Sequence, residues 1–227
     1  EVKANFGNKY DGKWFKGKKS ETRITSKEDV DELINKIQGK QGVVTEKVVE
    51  KTQEKPKQLY DLSLLQREAN KKYSFTSQKT LKIAQLLYDE YNVTSYPRTD
   101  SKFLTNSQIS SFPDILNEIK SPEYQDFARD IIDRGIPTNK SFIDDSKVSD
   151  HYAIIPTKKH ISMNHFKDHP NEKVKKEELQ KVYDLILRRF LSVFYPPAEY
   201  EKTNIVTEVE GETFKTNGRI MIKPGWR

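Results

Sequence analysis

The spacing of apolar residues changes period along this 227-residue chain, and that change limits the folds open to it. Strand-like stretches lie at both ends, and helical spacing fills the middle. Residues 1–24 set Val2, Phe6, Tyr10, Trp14 and Phe15 among Lys and Gly, which predicts one or two short strands with a turn near Asp11-Gly12. Residues 26–38 read as a helix, with Val30, Leu33, Ile34 and Ile37 on one face, a capping box from Ser26 and Asp29, and Gly39 at C′. The β-branched run over 42–49 predicts a strand, and the polar residues 50–57 read as a linker.

From about residue 58 the pattern is helical. Leu59, Leu62, Leu65, Ala69 and Tyr73 line one helix. Leu81, Ala84, Tyr88 and Tyr91, with Ile83 and Leu87 beside them, line a second from about Ser77. Shorter helices are expected over 106–111 and over 122–133, where Gly135 and Pro137 end the latter. Residues 138–150 and 158–174 lack periodicity and read as loops. Residues 176–194 give the strongest amphipathic helix, held by Leu179, Val182, Tyr183, Ile186, Phe190 and Val193 and stopped by Pro196-Pro197. Residues 199–209 then alternate, with Thr203, Ile205, Thr207 and Val209 on one side. After a turn at 210–212, residues 213–222 form a further strand, expected to bulge near Gly218. The fold class that follows is α+β: the two ends pair into one β-rich domain, and a mainly helical block is inserted between them.

Composition narrows the function. The net charge of +6 favours an anionic partner. With no Cys there is no disulfide and no thiolate metal site. No apolar run reaches 18 residues, so no membrane helix is expected. The chain does not begin with Met, and a piece of something longer is expected.

Chemistry is concentrated in Thr94-Ser95-Tyr96-Pro97-Arg98-Thr99-Asp100-Ser101. Pro97 fixes its own φ and keeps Tyr96 out of the α region. On extended backbone, residues i and i+2 share a side, which aims the Tyr96 phenol and the Arg98 guanidinium at one place. A phenol is a poor nucleophile until a cation or base favours its anion, and a guanidinium can do that while gripping a phosphate. Attack on a phosphodiester is one reading; a surface turn carrying a solvated arginine is the other. His151 can hold a phosphate oxygen or move a proton, or can be a hydrogen-bonded structural histidine. His160, His165 and His169 stand among lysines without a supporting carboxylate cluster, which argues against a metal. Asp144, Asp145 and Asp150 have the chemistry for Mg²⁺ but lie on loops where acidic residues are common. Lys71, Lys72, Lys79 and Lys82 either line an anionic groove or are solvated helix faces.

Four motifs occur in order: residues 59–70 (Leu-Tyr-Asp-Leu-Ser-Leu-Leu-Gln-Arg-Glu-Ala-Asn), residues 77–85 (Ser-Gln-Lys-Thr-Leu-Lys-Ile-Ala-Gln), residues 96–101 and residues 150–157 (Asp-His-Tyr-Ala-Ile-Ile-Pro-Thr). Together they resemble the central part of a type IA DNA topoisomerase, topoisomerase III above all. The resemblance implies that Tyr96 attacks a single-stranded DNA phosphodiester, forming a 5′-phosphotyrosyl bond and releasing a 3′-hydroxyl. A strand then passes through the gap, and the hydroxyl reseals it without ATP. It implies that Arg98 and His151 act on the same phosphate, and that Lys79, Thr99, Asp100, Ser101 and Thr157 belong to the DNA-binding surface. Many relatives carry a second His where this chain has Tyr152. The implied domains are a gate over 1–57 and 171–227 and a tyrosine-bearing helical insert over 58–170. Mg²⁺ is expected on a preceding acidic domain, Toprim, which has no counterpart in this sequence, and not on this chain. Expected partners are single-stranded DNA and the Toprim and groove domains of the same enzyme, with no membrane. The expected setting is the bacterial cytoplasm, at the nucleoid or a plasmid. The 227 residues alone are not expected to cleave DNA efficiently.

A non-catalytic single-strand-binding or protein-interaction module is the competing class. A recombinase or type IB enzyme needs an Arg and His-x-x-Arg set before a late tyrosine; here His151 follows Tyr96 and no such set exists.

Overall fold

The computed structural model describes residues 1–17, 21–159 and 163–227, which form two compact units. One joins Glu1–Glu54 to Pro197–Gly225, and the other comprises Lys55–Pro196 with Trp226–Arg227.

The first unit holds strands β1 (Lys3–Phe6), β2 (Tyr10–Phe15), β3 (Val43–Glu54), β4 (Ala198–Val209) and β5 (Glu212–Lys223), with helix α1 (Lys27–Ile37). The strand order is β1-β2-β5-β4-β3, and every neighbouring pair is antiparallel. The two chain ends thus share one sheet, as the α+β reading requires. Trp14, Leu33, Val209 and Phe214 form its core, with Phe6, Ile24 and Ile37 packed against them. Close approach at Gly12 and Gly42 seats the Phe6 ring: a Cβ at either would lie 2.8 Å from it. Ser26 accepts from the Asp29 amide at 3.3 Å, while its hydroxyl donates to Glu28 rather than taking part in a full box with Asp29. Gly39, at φ +73°, takes the left-handed position after α1.

Three local expectations change. β3 continues to Glu54, five residues into the expected linker, because β4 pairs with it to Ala198. A partner strand supplies hydrogen bonds that local polarity does not reveal. In β4, Thr207 and Val209 are buried at one end, but Ala198 and Tyr200, of opposite parity, are buried at the other. One strand therefore presents opposite faces for burial at its two ends, and the one-sided alternation describes only the C-terminal half. The β5 bulge lies at Ile222, between the pairs Glu199↔Lys223 and Tyr200↔Met221, whereas Gly218 pairs regularly with Thr203. Glu210 and Gly211 both take positive φ, the two-residue turn that matches strand twist.

The second unit contains α2 (Leu62–Tyr73), α3 (Ser77–Asp89), α4 (Phe112–Glu118), α5 (Gln125–Asp133) and α6 (Lys176–Ser192). The expected boundary at 170/171 placed α6 with the sheet; the unit boundary falls instead after Pro196. The reason is burial: Leu179, Val182, Leu185, Ile186, Phe190 and Leu191 all lie in the helical core, and α6 packs on α2 and α3. α2 begins at Leu62, not near 58, because the Asp61 carboxylate accepts from the Leu64 amide at 2.6 Å and caps the helix. The 106–111 segment is a 3₁₀ turn, and α4 follows it directly. Phe112, Ile115 and Leu116 of α4, with Ile119 just after it, are buried at i, i+3, i+4 and i+7, a helical spacing legible in the sequence though no helix is expected there.

Candidate active site

Residues 90–105, between α3 and the 3₁₀ turn, form no helix or named strand, and residues 93–103 are stitched to residues 151–157 by hydrogen bonds. The Ser95 amide donates to the Ile155 carbonyl (2.9 Å), and the Thr157 amide to that of Val93 (3.0 Å). The buried Ser95 hydroxyl donates to the Ala153 carbonyl (2.9 Å) and accepts from the Ile155 amide (2.9 Å). The Ala153 amide donates to Phe103, and the Ile154 amide to Tyr60 on the other side. Tyr60 is itself held from α6: buried Arg189 donates to its hydroxyl (3.1 Å) and to the Gln58 carbonyl (2.7 Å), and pairs with Glu68. Burial pushes the Tyr60 hydroxyl well above the usual phenol range, so it is a neutral partner here. Two stretches more than 50 residues apart are thereby fixed against one another.

On this frame burial alternates from 96 to 101. Pro97, Thr99 and Ser101 are buried; Tyr96 is half-exposed, and Arg98 and Asp100 are exposed. The alternation gives Tyr96 and Arg98 the same outward side. Thr99 Oγ1 donates to the His151 carbonyl (2.8 Å), which brings His151 beside the tyrosine. The His151 ring centroid lies 4.5 Å from that of Tyr96 at 46°, and the Tyr88 ring meets Tyr96 edge-on at 5.3 Å and 77°. Among the described residues, Arg98 forms no ion pair and the Tyr96 hydroxyl no hydrogen bond. Tyr152 is half-buried, and burial together with nearby Tyr88 raises its hydroxyl above the usual phenol range. A half-exposed phenol, an imidazole against its ring and an unpaired guanidinium two residues on make a surface suited to an anionic ester.

The remaining expected residues divide. Thr99 and Ser101 face inward: the Ser101 hydroxyl donates to the Lys147 carbonyl (2.8 Å) and accepts from the Phe103 amide (3.1 Å), so both hold the loop's shape. Thr157 donates to the Asn92 carbonyl (2.7 Å) and closes the other end of the stitching. Lys79 is not brought to the cluster. It stands nine residues before Tyr88 on α3, about 13 Å along the axis, and its ammonium pairs with Glu178 (2.8 Å) and donates to the Lys173 carbonyl. Lys82 pairs with Glu172, so two of the four lysines read as groove candidates are committed to carboxylates.

The expected α3 stripe is rotated. Thr80, Ile83, Ala84, Leu86 and Leu87 are the buried positions, and Tyr88 sits at the rim, free to meet Tyr96. His169 accepts from or donates to the Tyr91 hydroxyl (2.8 Å) and faces Glu90 (3.4 Å), pinning the 166–174 loop to the end of α3. His160 lies outside the described residues. Asp144 caps the turn at Ser146, and Asp145 accepts from Asn106. Among the described residues no three His, Asp or Glu gather as metal ligands, and no helix is long and apolar enough to cross a membrane.

A family model described as DNA topoisomerase matches residues 1–227. The chain is 39% identical over 208 residues to DNA topoisomerase 3 of Bacillus cereus, covering 91% of this chain and 27% of that protein. It is 38% identical over 216 residues to DNA topoisomerase 3 of Bacillus subtilis, covering 94% and 28%. The chain thus spans a little over a quarter of the length of these relatives. In fold it is similar to full-length topoisomerase I from Thermotoga maritima, with a TM-score of 0.64 and 24% identity over 99% of this chain and 34% of that one.

Proposed function

The chain belongs to the type IA DNA topoisomerase family, and from that membership we propose that it carries the nucleophile of a topoisomerase III-like enzyme, Tyr96. The Tyr96 hydroxyl oxygen attacks the phosphorus of a single-stranded DNA phosphodiester. A phosphorus–tyrosyl oxygen bond forms at the 5′ side, the bond to the 3′ oxygen breaks, and the leaving 3′-hydroxyl ends with the proton that the phenol gives up. After a strand has passed, the same hydroxyl attacks the phosphotyrosyl bond and restores both groups. One phosphodiester is exchanged for another, so no ATP is consumed.

Arg98, exposed and without an ion pair among the described residues, grips the non-bridging oxygens and offsets the charge that grows on them. His151 holds the tyrosine ring and offers a ring N–H to the same phosphate. Asp100 lies on the same exposed side and faces the DNA; Thr99, Ser101 and Thr157 act through the loop they shape. The Mg²⁺ of this reading would be held by another part of the complete protein, where it would supply positive charge near the phosphate. The described residues offer it no ligand cluster, so no step here runs through it. The partners that follow are single-stranded DNA and the remaining domains of the same enzyme, and the setting is the bacterial cytoplasm, where the DNA lies.

The observation that carries this reading is the packing of the Tyr96 ring on His151 within the extended segment that also exposes Arg98. Its test is covalent trapping with Mg²⁺ on a single-stranded oligonucleotide labelled at either end, using this chain and the complete protein, each with and without Tyr96→Phe. DNA labelled at its 3′ end is expected to migrate with the complete protein, and Tyr96→Phe to abolish it. Attachment of 5′-labelled DNA instead would refute the bond polarity. Absence of any adduct would favour a non-catalytic DNA-binding module.

A further inference from the structure

A tyrosine nucleophile works only if its hydroxyl is held where the phosphorus will be. The usual device is a hydrogen bond, and the Tyr96 hydroxyl makes none among the described residues. Its backbone is fixed by the Ser95 hydrogen bonds on one side and by the proline ring at 97 on the other, but backbone alone leaves χ1 free among staggered wells that send the hydroxyl to different places. Among the described residues, two other rings pack on the Tyr96 ring, His151 at 4.5 Å and Tyr88 at 5.3 Å.

Tyr88 is well built for this. Ile83, Ala84 and Leu87, fully buried, lock α3 into the core directly before it. The Tyr88 carbonyl accepts from the Asn92 amide (3.2 Å), and Asn92 takes φ +56°, so the chain reverses sharply at the helix end. Tyr91, one turn on, is tied by His169 and by the Lys167 amide (3.0 Å). A ring on a rigid helix end meets, edge-on, the ring eight residues later. Edge-to-face contact has a preferred direction, so it orients as well as fills space.

We infer that Tyr88 is a positioning residue: its ring, with that of His151, confines the Tyr96 side chain so that the hydroxyl is presented ready and unbonded. This rests on the reading of Tyr96 as nucleophile. The ring and not the Tyr88 hydroxyl does this, since that hydroxyl makes no hydrogen bond among the described residues and the contact with Tyr96 is ring to ring.

The test compares Tyr88→Phe and Tyr88→Leu in the complete protein, reading the single-turnover rate of adduct formation, the Kd for the same oligonucleotide, and the melting temperature. A second reading places 3-fluorotyrosine at position 96 and follows its fluorine signal without DNA. Tyr88→Leu is expected to slow adduct formation roughly tenfold or more, as small misplacement of a reacting atom does. Kd and melting temperature stay near wild type, and the fluorine signal moves toward that of free tyrosine. Tyr88→Phe retains wild-type behaviour in all four. A Tyr88→Leu protein with unchanged rate and fluorine signal overturns the proposal. So does a loss of rate matched by losses of affinity and melting temperature, or a Tyr88→Phe protein as slow as Tyr88→Leu. Should wild type form no adduct, the nucleophile reading fails, and the fluorine signal alone decides whether Tyr88 confines the ring.

Discussion

The side chain of Thr99 donates a 2.8 Å hydrogen bond to the backbone carbonyl of His151, 52 residues further along the chain. The bond uses the histidine's main chain and leaves its ring free to lie on Tyr96. Position and chemistry at 151 are therefore separable.

Replacing the ring alone tests that separation. His151→Ala keeps the carbonyl, and the side chain is exposed, so stability is expected to change by less than about 0.5 kcal/mol. On the proposed function, adduct formation by the complete protein should fall roughly tenfold or more, because the ring contact and the proposed phosphate donor are both lost. Thermal melts and single-turnover cleavage check the two halves.

Ser95 does the opposite work. Ser95→Ala removes the acceptor of the buried Ile155 amide and the donor to Ala153. An orphaned buried amide costs about 1–3 kcal/mol. Urea unfolding should show that loss, and amide exchange at Ile155 should quicken before exchange in α6.

Arg189 is buried, with bonds to Gln58, Tyr60 and Glu68. Arg189→Leu alone strands the Glu68 carboxylate and is expected to destabilise by about 3 kcal/mol. The double change Arg189→Leu with Glu68→Leu should cost less than the single one. Equal losses in both, measured by chemical denaturation, would show that the ion pair is not what matters there.

The sheet unit has an acid-sensitive tie. Glu212 accepts from Lys36 (2.7 Å) and from the Trp14 indole (2.9 Å), and these bonds, Lys36 foremost, hold its carboxyl below the ordinary 4.5. The folded state favours the charged form, so this contribution is fully present above the ordinary value and is lost as pH falls through the lowered one. As pH falls below the ordinary 4.5, wild type should lose stability more steeply than Glu212→Gln, in melts followed by circular dichroism. Parallel slopes would remove Glu212 from the account.

Much of this was readable from the order of residues. Periodicity located α1, α2, α3, α5 and α6 because each must bury one face, and that demand is written at i, i+3 and i+4. Pro97 and the i+2 spacing put Tyr96 and Arg98 on one side, and burial alternates there as extended backbone requires. Where local pattern and structure differ, a distant partner is the cause. β3 runs on because β4 pairs with it, and α6 joins the helical unit because its apolar surface is wide enough to meet α2 and α3.

By itself, then, the sequence determined which residues could do chemistry and which segments must be helix or strand, since those follow from side-chain type and local spacing. Tertiary structure alone decided that His151 would reach Tyr96, that Tyr88 would stand at the rim of α3 rather than in its buried face, and that Lys79 would be bound to Glu178 instead of the site. Each of these depends on contacts between residues that are not fixed by local spacing. Such contacts form only when burial of the core and pairing of backbone amides have set the whole chain in place.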